Sequence, residues 1–287
     1  MSSVREWNSQ AYHRLSDHQF AWGKKVLSRL VLRGDETVLD AGCGTGRVTS
    51  LLVECLPRGR VVGVDLSENM VRSARDTILS NGRPERAARG SGRESNDPYR
   101  VHEPRASAGV HLLCADLLAL PFAPVFDGIF STAVFHWVTD HSRLFRELFG
   151  VLKRGGWLEA QCGGGPNLAR LRGRAAKVIA SAPYERFFRD WTEPWEFADP
   201  ETTVRRLAAA GFVDVRTGLE PAAFTISDPQ QYREYLATVT LHRHAAQIAD
   251  PDLRHRFLDD VTRLAVADGD MELDYWRLNI SARKAAR

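Results

Sequence analysis

The stretch Val38-Leu-Asp40-Ala-Gly42-Cys-Gly44-Thr-Gly46-Arg47 decides how the rest of the chain is read. A short apolar run ends in an acid and passes into glycines at alternate positions. Glycines after a strand let the backbone turn tightly and approach a ligand. The helix that follows adds free N–H groups and the positive end of its dipole. In a nicotinamide-type GxGxxG fingerprint the last glycine would stand where Arg47 stands, and here the third glycine comes one residue early. The Gly-Lys-Ser/Thr of a Walker loop does not follow.

Two carboxylates extend the pattern. Asp65 closes the strand expected over 60–65, and Asp116 closes the next one in Cys114-Ala-Asp116-Leu117. An Asp at such a place can hold a ribose through its hydroxyls, and one a strand further on can accept from an adenine amine. Taken singly, each suits a turn or a helix cap equally well. A glycine loop and two acids at three successive strand ends lie together on the carboxyl edge of a doubly wound sheet, where ligands bind.

The surrounding sequence fits that sheet. Short apolar runs at 37–41, 60–65, 110–115, 126–132 and 157–162 predict strands, alternating with helices over 48–56, 67–80 and 140–151. The first 34 residues read as helical up to Gly34. Beyond Gly163-Gly-Gly-Pro166 the order loosens. A basic helical stretch and an aromatic group (Phe187, Phe188, Trp191, Trp195) precede a helix at 201–210 and a strand at 212–218. Asp-Pro pairs open helices over 228–243 and 250–266, and a last strand is expected over 271–281. The fold class is therefore α/β, a seven-stranded, mostly parallel, Rossmann-like sheet. Residues 1–35 form an N-terminal helical cap segment and 36–163 a ligand-binding core. Residues 164–287 supply substrate-cap helices and the last two strands.

Composition limits the partners. The 287 residues include 39 basic and 36 acidic side chains, for a net charge of +3. That is too slight for a nucleic-acid-binding domain. Most of the excess belongs to an insertion at 81–109, which has six Arg, four acids and no Leu, Ile, Phe, Trp or Met. It cannot bury enough apolar surface to offset its ordering entropy and is expected to be disordered. No apolar run is long enough for a membrane helix, and no signal h-region is seen at residues 1–10. The four cysteines form no close pair, which suits a reducing, cytoplasmic setting without zinc or disulfides. The histidines show no metal-site spacing, so no metal is assigned. The oligomeric state stays open, with a monomer favoured.

A family resemblance now becomes visible. Asp40-Ala-Gly-Cys-Gly-Thr-Gly46, Val64-Asp65-Leu-Ser-Glu-Asn-Met70, Ala115-Asp116-Leu117 and Leu152-Lys-Arg-Gly-Gly156 resemble the motifs of class I S-adenosylmethionine-dependent methyltransferases, over roughly 36–162 less the insertion. Trp7-Asn-Ser-x-x-Tyr12 and Phe135-His136-Trp137-Val138, with the C-terminal helix pair and final strand, are similar to the trans-aconitate and juvenile hormone acid methyltransferases, which act on small carboxylates. The resemblance implies S-adenosyl-L-methionine as cofactor. Asp40, Gly42, Gly44 and Gly46 would line its methionine part, Asp65 would hold the ribose, and Leu66 and Met70 would lie beside the adenine. Asp116 would take the adenine amine and Leu117 pack on the ring. Tyr12 would contact the methyl donor and Gln19 the substrate. It also implies the strand order 3-2-1-4-5-7-6 with the seventh strand antiparallel.

Methyl transfer from a sulfonium needs alignment and exclusion of water more than acid catalysis. A carboxylate nucleophile is already ionised near neutrality, whereas a phenol or alcohol needs a base. His136 is the candidate base; the other reading is a histidine that hydrogen-bonds in the substrate wall. Trp137 either shapes the substrate pocket, offering its π-face to a cation, or packs in the core. The expected activity is transfer of a methyl group to a small molecule, O-directed and toward a carboxylate. The rivals are a nucleic-acid or protein methyltransferase, against which Ser131-Thr-Ala-Val-Phe135 replaces the usual Asn/Asp-Pro-Pro run, and a nicotinamide oxidoreductase.

Overall fold

The computed structural model describes residues 6–81 and 109–287. The insertion read at 81–109 thus lies, apart from its two end residues, outside the described residues. Five parallel strands form the left part of the main sheet: β1 (Thr37–Ala41), β2 (Arg60–Asp65), β3 (Gly109–Cys114), β4 (Phe126–Thr132) and β5 (Leu152–Gly163). The chain continues through β6 (Phe212–Pro221), the short β7 (Phe224–Thr225) and β8 (Glu272–Leu273), and ends with β9 (Trp276–Lys284). The order is β3-β2-β1-β4-β5-β9-β6, with β9 antiparallel to both of its neighbours. This is the order the resemblance implies.

The central strands β1 and β4 are buried on both faces, as parallel sheets require, whereas the edge strands β3 and β6 are half-exposed. Val38 of β1 faces one layer, with Val26, Leu52 and Leu56, while Leu39 faces the other, with Leu144, Phe145, Leu148 and Leu207. The first layer is α2 (Asp17–Leu27) and α3 (Arg47–Glu54), α1 (Ser9–Leu15) preceding them; α4 (Glu68–Asn81) packs beside α3. The second layer contains α5 (His141–Val151). A separate cluster of twenty-one buried residues, including Tyr232, Tyr235, Phe257 and Leu273, makes the core of a helical cap over the carboxyl edge. The cap comprises α6 (Ala169–Ile179) and, beyond α7 (Pro200–Ala209) in the second layer, α8 (Pro229–Tyr235), α9 (His242–Gln247) and α10 (Pro251–Ala267).

Several sequence expectations are redrawn. The helix expected over 228–243 is interrupted by a π turn, Leu236–Thr240, in which the Leu241 N–H donates to the Leu236 carbonyl at 2.7 Å. Thr238, Val239 and Thr240 are β-branched and fit an α-helix poorly. Such wide turns recur at functional sites. The last strand, expected over 271–281, is broken at Asp274–Tyr275, and its first piece pairs with β7 in a small second sheet. Lys153-Arg-Gly-Gly156 does not lie outside the fifth strand as expected. It belongs to β5, where a bulge opposite Phe126 and Gly128 absorbs the extra residues. The N-terminal helical run stops at Leu27, with a break at Ser16, instead of reaching Gly34.

Candidate active site

A cavity of about 820 Å3 opens on the carboxyl edge of the sheet, over the ends of β1, β2 and β3. Tyr12, Gln19, Asp40, Gly42, Gly44, Asp65, Leu66, Met70, Asp116, Leu117 and Trp137 all line it. Two of the residues singled out from the sequence do not. Gly46, with φ +80°, presses against α4: a Cβ there would come within 2.8 Å of the Ala74 backbone, so it sets helix packing. His136 faces a smaller inner chamber of about 30 Å3. Trp7, Tyr12, Gln19, Ala133 and Trp137 line both spaces.

The glycine loop owes its shape to two anchors. The N–H groups of Gly42 and Cys43 both donate to the Val64 carbonyl, at 2.7 and 3.0 Å. Gly42 has φ +87°, and a Cβ on it would lie 2.1 Å from a Val134 methyl, so no side chain is admissible. Asp65 then braces the loop: Oδ2 accepts from the Gly44 N–H at 3.0 Å and Oδ1 from the Ser67 N–H at 2.9 Å. Burial raises its carboxyl above the usual range despite these bonds. Asp40 is 3% exposed and accepts from the Thr49 hydroxyl at 2.7 Å. Burial pushes it up to about 7, with the Asp65 charge adding to the rise. Asp116 stays exposed, and its Oδ1 accepts from the Leu118 N–H at 2.8 Å.

These features suit S-adenosylmethionine. Space beside Gly44 is open to at least 4 Å, so backbone can approach a ligand there. Two acids, one of them fully buried, face the same cavity and match a cationic amino acid and a ribose diol. Among the described residues no cluster could hold a metal ion, and no helix is long and apolar enough to cross a membrane.

Residues 6–27 close the cavity, through contacts the sequence did not disclose. Arg47, at the position of a missing glycine, donates to the His13 carbonyl at 3.1 Å and to Asp17 at 2.8 Å, and its guanidinium lies 4.2 Å from the Phe20 ring centre. Glu6 caps α4, accepting from the Ser67 hydroxyl at 2.7 Å and the Asn69 N–H at 3.0 Å. Trp7 packs edge-on against Tyr12 and Trp137, with ring centres 5.3 and 5.4 Å away. Trp137 is half-buried and touches the rings of Trp195 and His242.

The inner chamber is polar at its end. His136 Nδ1 accepts the Gly163 N–H at 3.2 Å, so its proton sits on Nε2. Burial, then the charges of Arg277 and other cationic neighbours, holds the imidazole well below its usual range. Gln19 donates to the Tyr235 hydroxyl at 2.6 Å, which lies 2.9 Å from that of Tyr275. Its own Oε1 is buried without a partner.

A methyltransferase-domain family profile matches residues 39–160. A trans-aconitate 2-methyltransferase of Azoarcus sp. (strain BH72) is 34% identical over 203 residues, covering 66% of this chain and 68% of that protein. One of Methylobacterium radiotolerans is 27% identical across 99% of this chain and its own full length. A solved structure of Haemonchus contortus phosphoethanolamine N-methyltransferase 2 with S-adenosyl-L-methionine superposes with a TM-score of 0.55 at 17% identity, over 96% of this chain and 56% of that one, and shares the fold. With the glycine loop and the strand-end acids gathered on one cavity, the chain belongs to the S-adenosylmethionine-dependent methyltransferases.

Proposed function

We propose that this enzyme methylates a carboxylate oxygen of a small organic acid. One observation carries the reading: no free base stands where the two spaces meet. The residues common to both walls are Trp7, Tyr12, Gln19, Ala133 and Trp137, with no carboxylate or imidazole among them, and the His136 nitrogen able to accept a proton already accepts the Gly163 N–H. Burial raises the Tyr12 and Tyr275 hydroxyls, which stay protonated. A phenol or alcohol would need a base there; a carboxylate needs none. The relatives named trans-aconitate 2-methyltransferase support the same acceptor class.

When bound, S-adenosylmethionine supplies an electrophilic methyl on a sulfonium whose leaving thioether is neutral. Asp65 would hold the ribose, and Asp40 would face the cationic amino acid part. Gly42 and Gly44 give the backbone approach, while Leu66, Met70, Asp116 and Leu117 flank the adenine. Trp7, Tyr12 and Trp137 exclude water from the reacting end and present ring faces and edges to a cation. His136 orients the acceptor as an N–H donor. Residues 36–163 thus supply most of the cofactor wall and, through His136 and Trp137, part of the acceptor wall, while 1–35 and 164–287 cover both. The four unpaired thiols suit a reducing cytoplasm.

The test is a screen for release of S-adenosylhomocysteine over small carboxylic acids, phenols and amines. Turnover is expected with carboxylic acids, giving an alkali-labile ester. Turnover confined to phenols or amines would overturn the reading.

A further inference from the structure

Arg277 takes no part in any motif above. It sits on β9, is 2% exposed and lines the inner chamber. Its Nε is buried without a hydrogen-bond partner, and among the described residues no carboxylate forms an ion pair with it. Glu220, opposite it on β6, gives its carboxylate to Lys25, Arg29 and Asn279 instead. The guanidinium lies between rings, 4.5 Å from the centre of Trp22 and 5.9 Å from that of Tyr275. Burial lowers its proton affinity, yet a guanidinium keeps its proton in proteins. A buried, unpaired cation is strongly unfavourable unless it serves an anion.

The chamber is the right size and polarity for one anionic group. Its ~30 Å3 admits about two water-sized atoms. His136 lines it with Nδ1 already taken by Gly163, which leaves Nε2–H as its donor, and the fixed fork of Arg277 matches the two oxygens of a carboxylate. A carboxylate gripped this way is a poor nucleophile, because its lone pairs are engaged. It is better suited to anchor the acceptor than to attack the methyl.

We propose that Arg277, with the Nε2–H of His136, anchors a carboxylate of the acceptor other than the one methylated, so that the enzyme selects acids bearing at least two carboxylates. The proposal rests on the carboxylate reading above. It adds a specificity-determining residue from the antiparallel strand.

The experiment is calorimetry of the full chain saturated with S-adenosylhomocysteine, using succinate, fumarate and trans-aconitate and their neutral amides. At least one acid is expected to bind, at least 30-fold more tightly than its amide. Arg277→Gln should weaken that acid at least 30-fold and change the S-adenosylhomocysteine affinity less than twofold, with Arg277→Lys in between. Amides binding as well as acids, no acid binding to the wild type, or undiminished binding by Arg277→Gln would each overturn the proposal. The acid-against-amide comparison needs no variant, so it stands if Arg277→Gln fails to fold. Acids that bind through Arg277 but are never methylated would sink the functional reading and leave the anchor. Acids methylated by Arg277→Gln with unchanged KM would sink the anchor and leave the reading.

Discussion

The two chambers of this enzyme are built on opposite principles. The cofactor side is made of backbone: glycine N–H groups, a helix start, and acids placed at consecutive strand ends. The inner chamber, which we propose takes the acceptor, is made of side chains gathered from far apart, with Gln19 from α2, His136 after β4, Tyr275 before β9 and Arg277 from β9. A backbone cradle tolerates little change in its glycines and asks little of its neighbours. A side-chain chamber can be re-lined one residue at a time, which is how one fold accommodates different acceptors.

Three measurements test that contrast, in order of expected effect. Asp65→Ala removes the brace on Gly44 and the ribose acceptor together. Cofactor binding by calorimetry should fall at least 100-fold, and retention within threefold would show that the cradle does not depend on this acid. Asp40→Asn separates charge from shape. The folded-state carboxyl is raised to about 7, so this group favours folding below the unfolded value near 4 and loses that contribution as pH rises through 7. The variant should therefore be more stable than wild type at pH 8, by roughly 2–4 kcal/mol in denaturant unfolding, and equal to it at pH 4. In wild type, cofactor affinity should weaken as pH drops below 7, and the variant should lose this dependence; a stability gain at pH 4 as large as at pH 8 would contradict it. The smallest effect concerns His136. With cofactor and acceptor saturating, kcat should vary less than twofold between pH 6 and 8, because the imidazole is neutral throughout. A kcat that falls through pH 6–7 would restore the base role and break the contrast.

The same contrast explains what could be read in advance. Strands 37–41, 60–65 and 126–132 are legible because buried parallel strands are continuous apolar runs with turn signals at their ends. Asp40, Asp65 and Asp116 are legible because each stands within two residues of the carboxyl end of its strand. Arg277 is not: it lies inside a strand, next to a tryptophan, and only the pairing of β9 with β5 and β6 brings it to the chamber. Arg47 stood inside the motif but drew attention only as a departure from glycine, since its partners His13 and Asp17 are some 30 residues away. The π turn at 236–240 is not legible because its β-branched residues lower α-helix propensity without specifying a wider turn. Gly46 is legible as a motif glycine, and only the structure shows that its close neighbour is α4.

The segment from Glu6 to Leu27 has a further consequence. Trp7, Tyr12 and Gln19 belong to the walls of both chambers, and the segment is tied down at Arg47 and at the start of α4. Whatever loosens it for one ligand loosens it for the other. Entry and departure on the two sides are then mechanically joined, like two rooms behind a single door, and the reacting end is dry only while that door is shut.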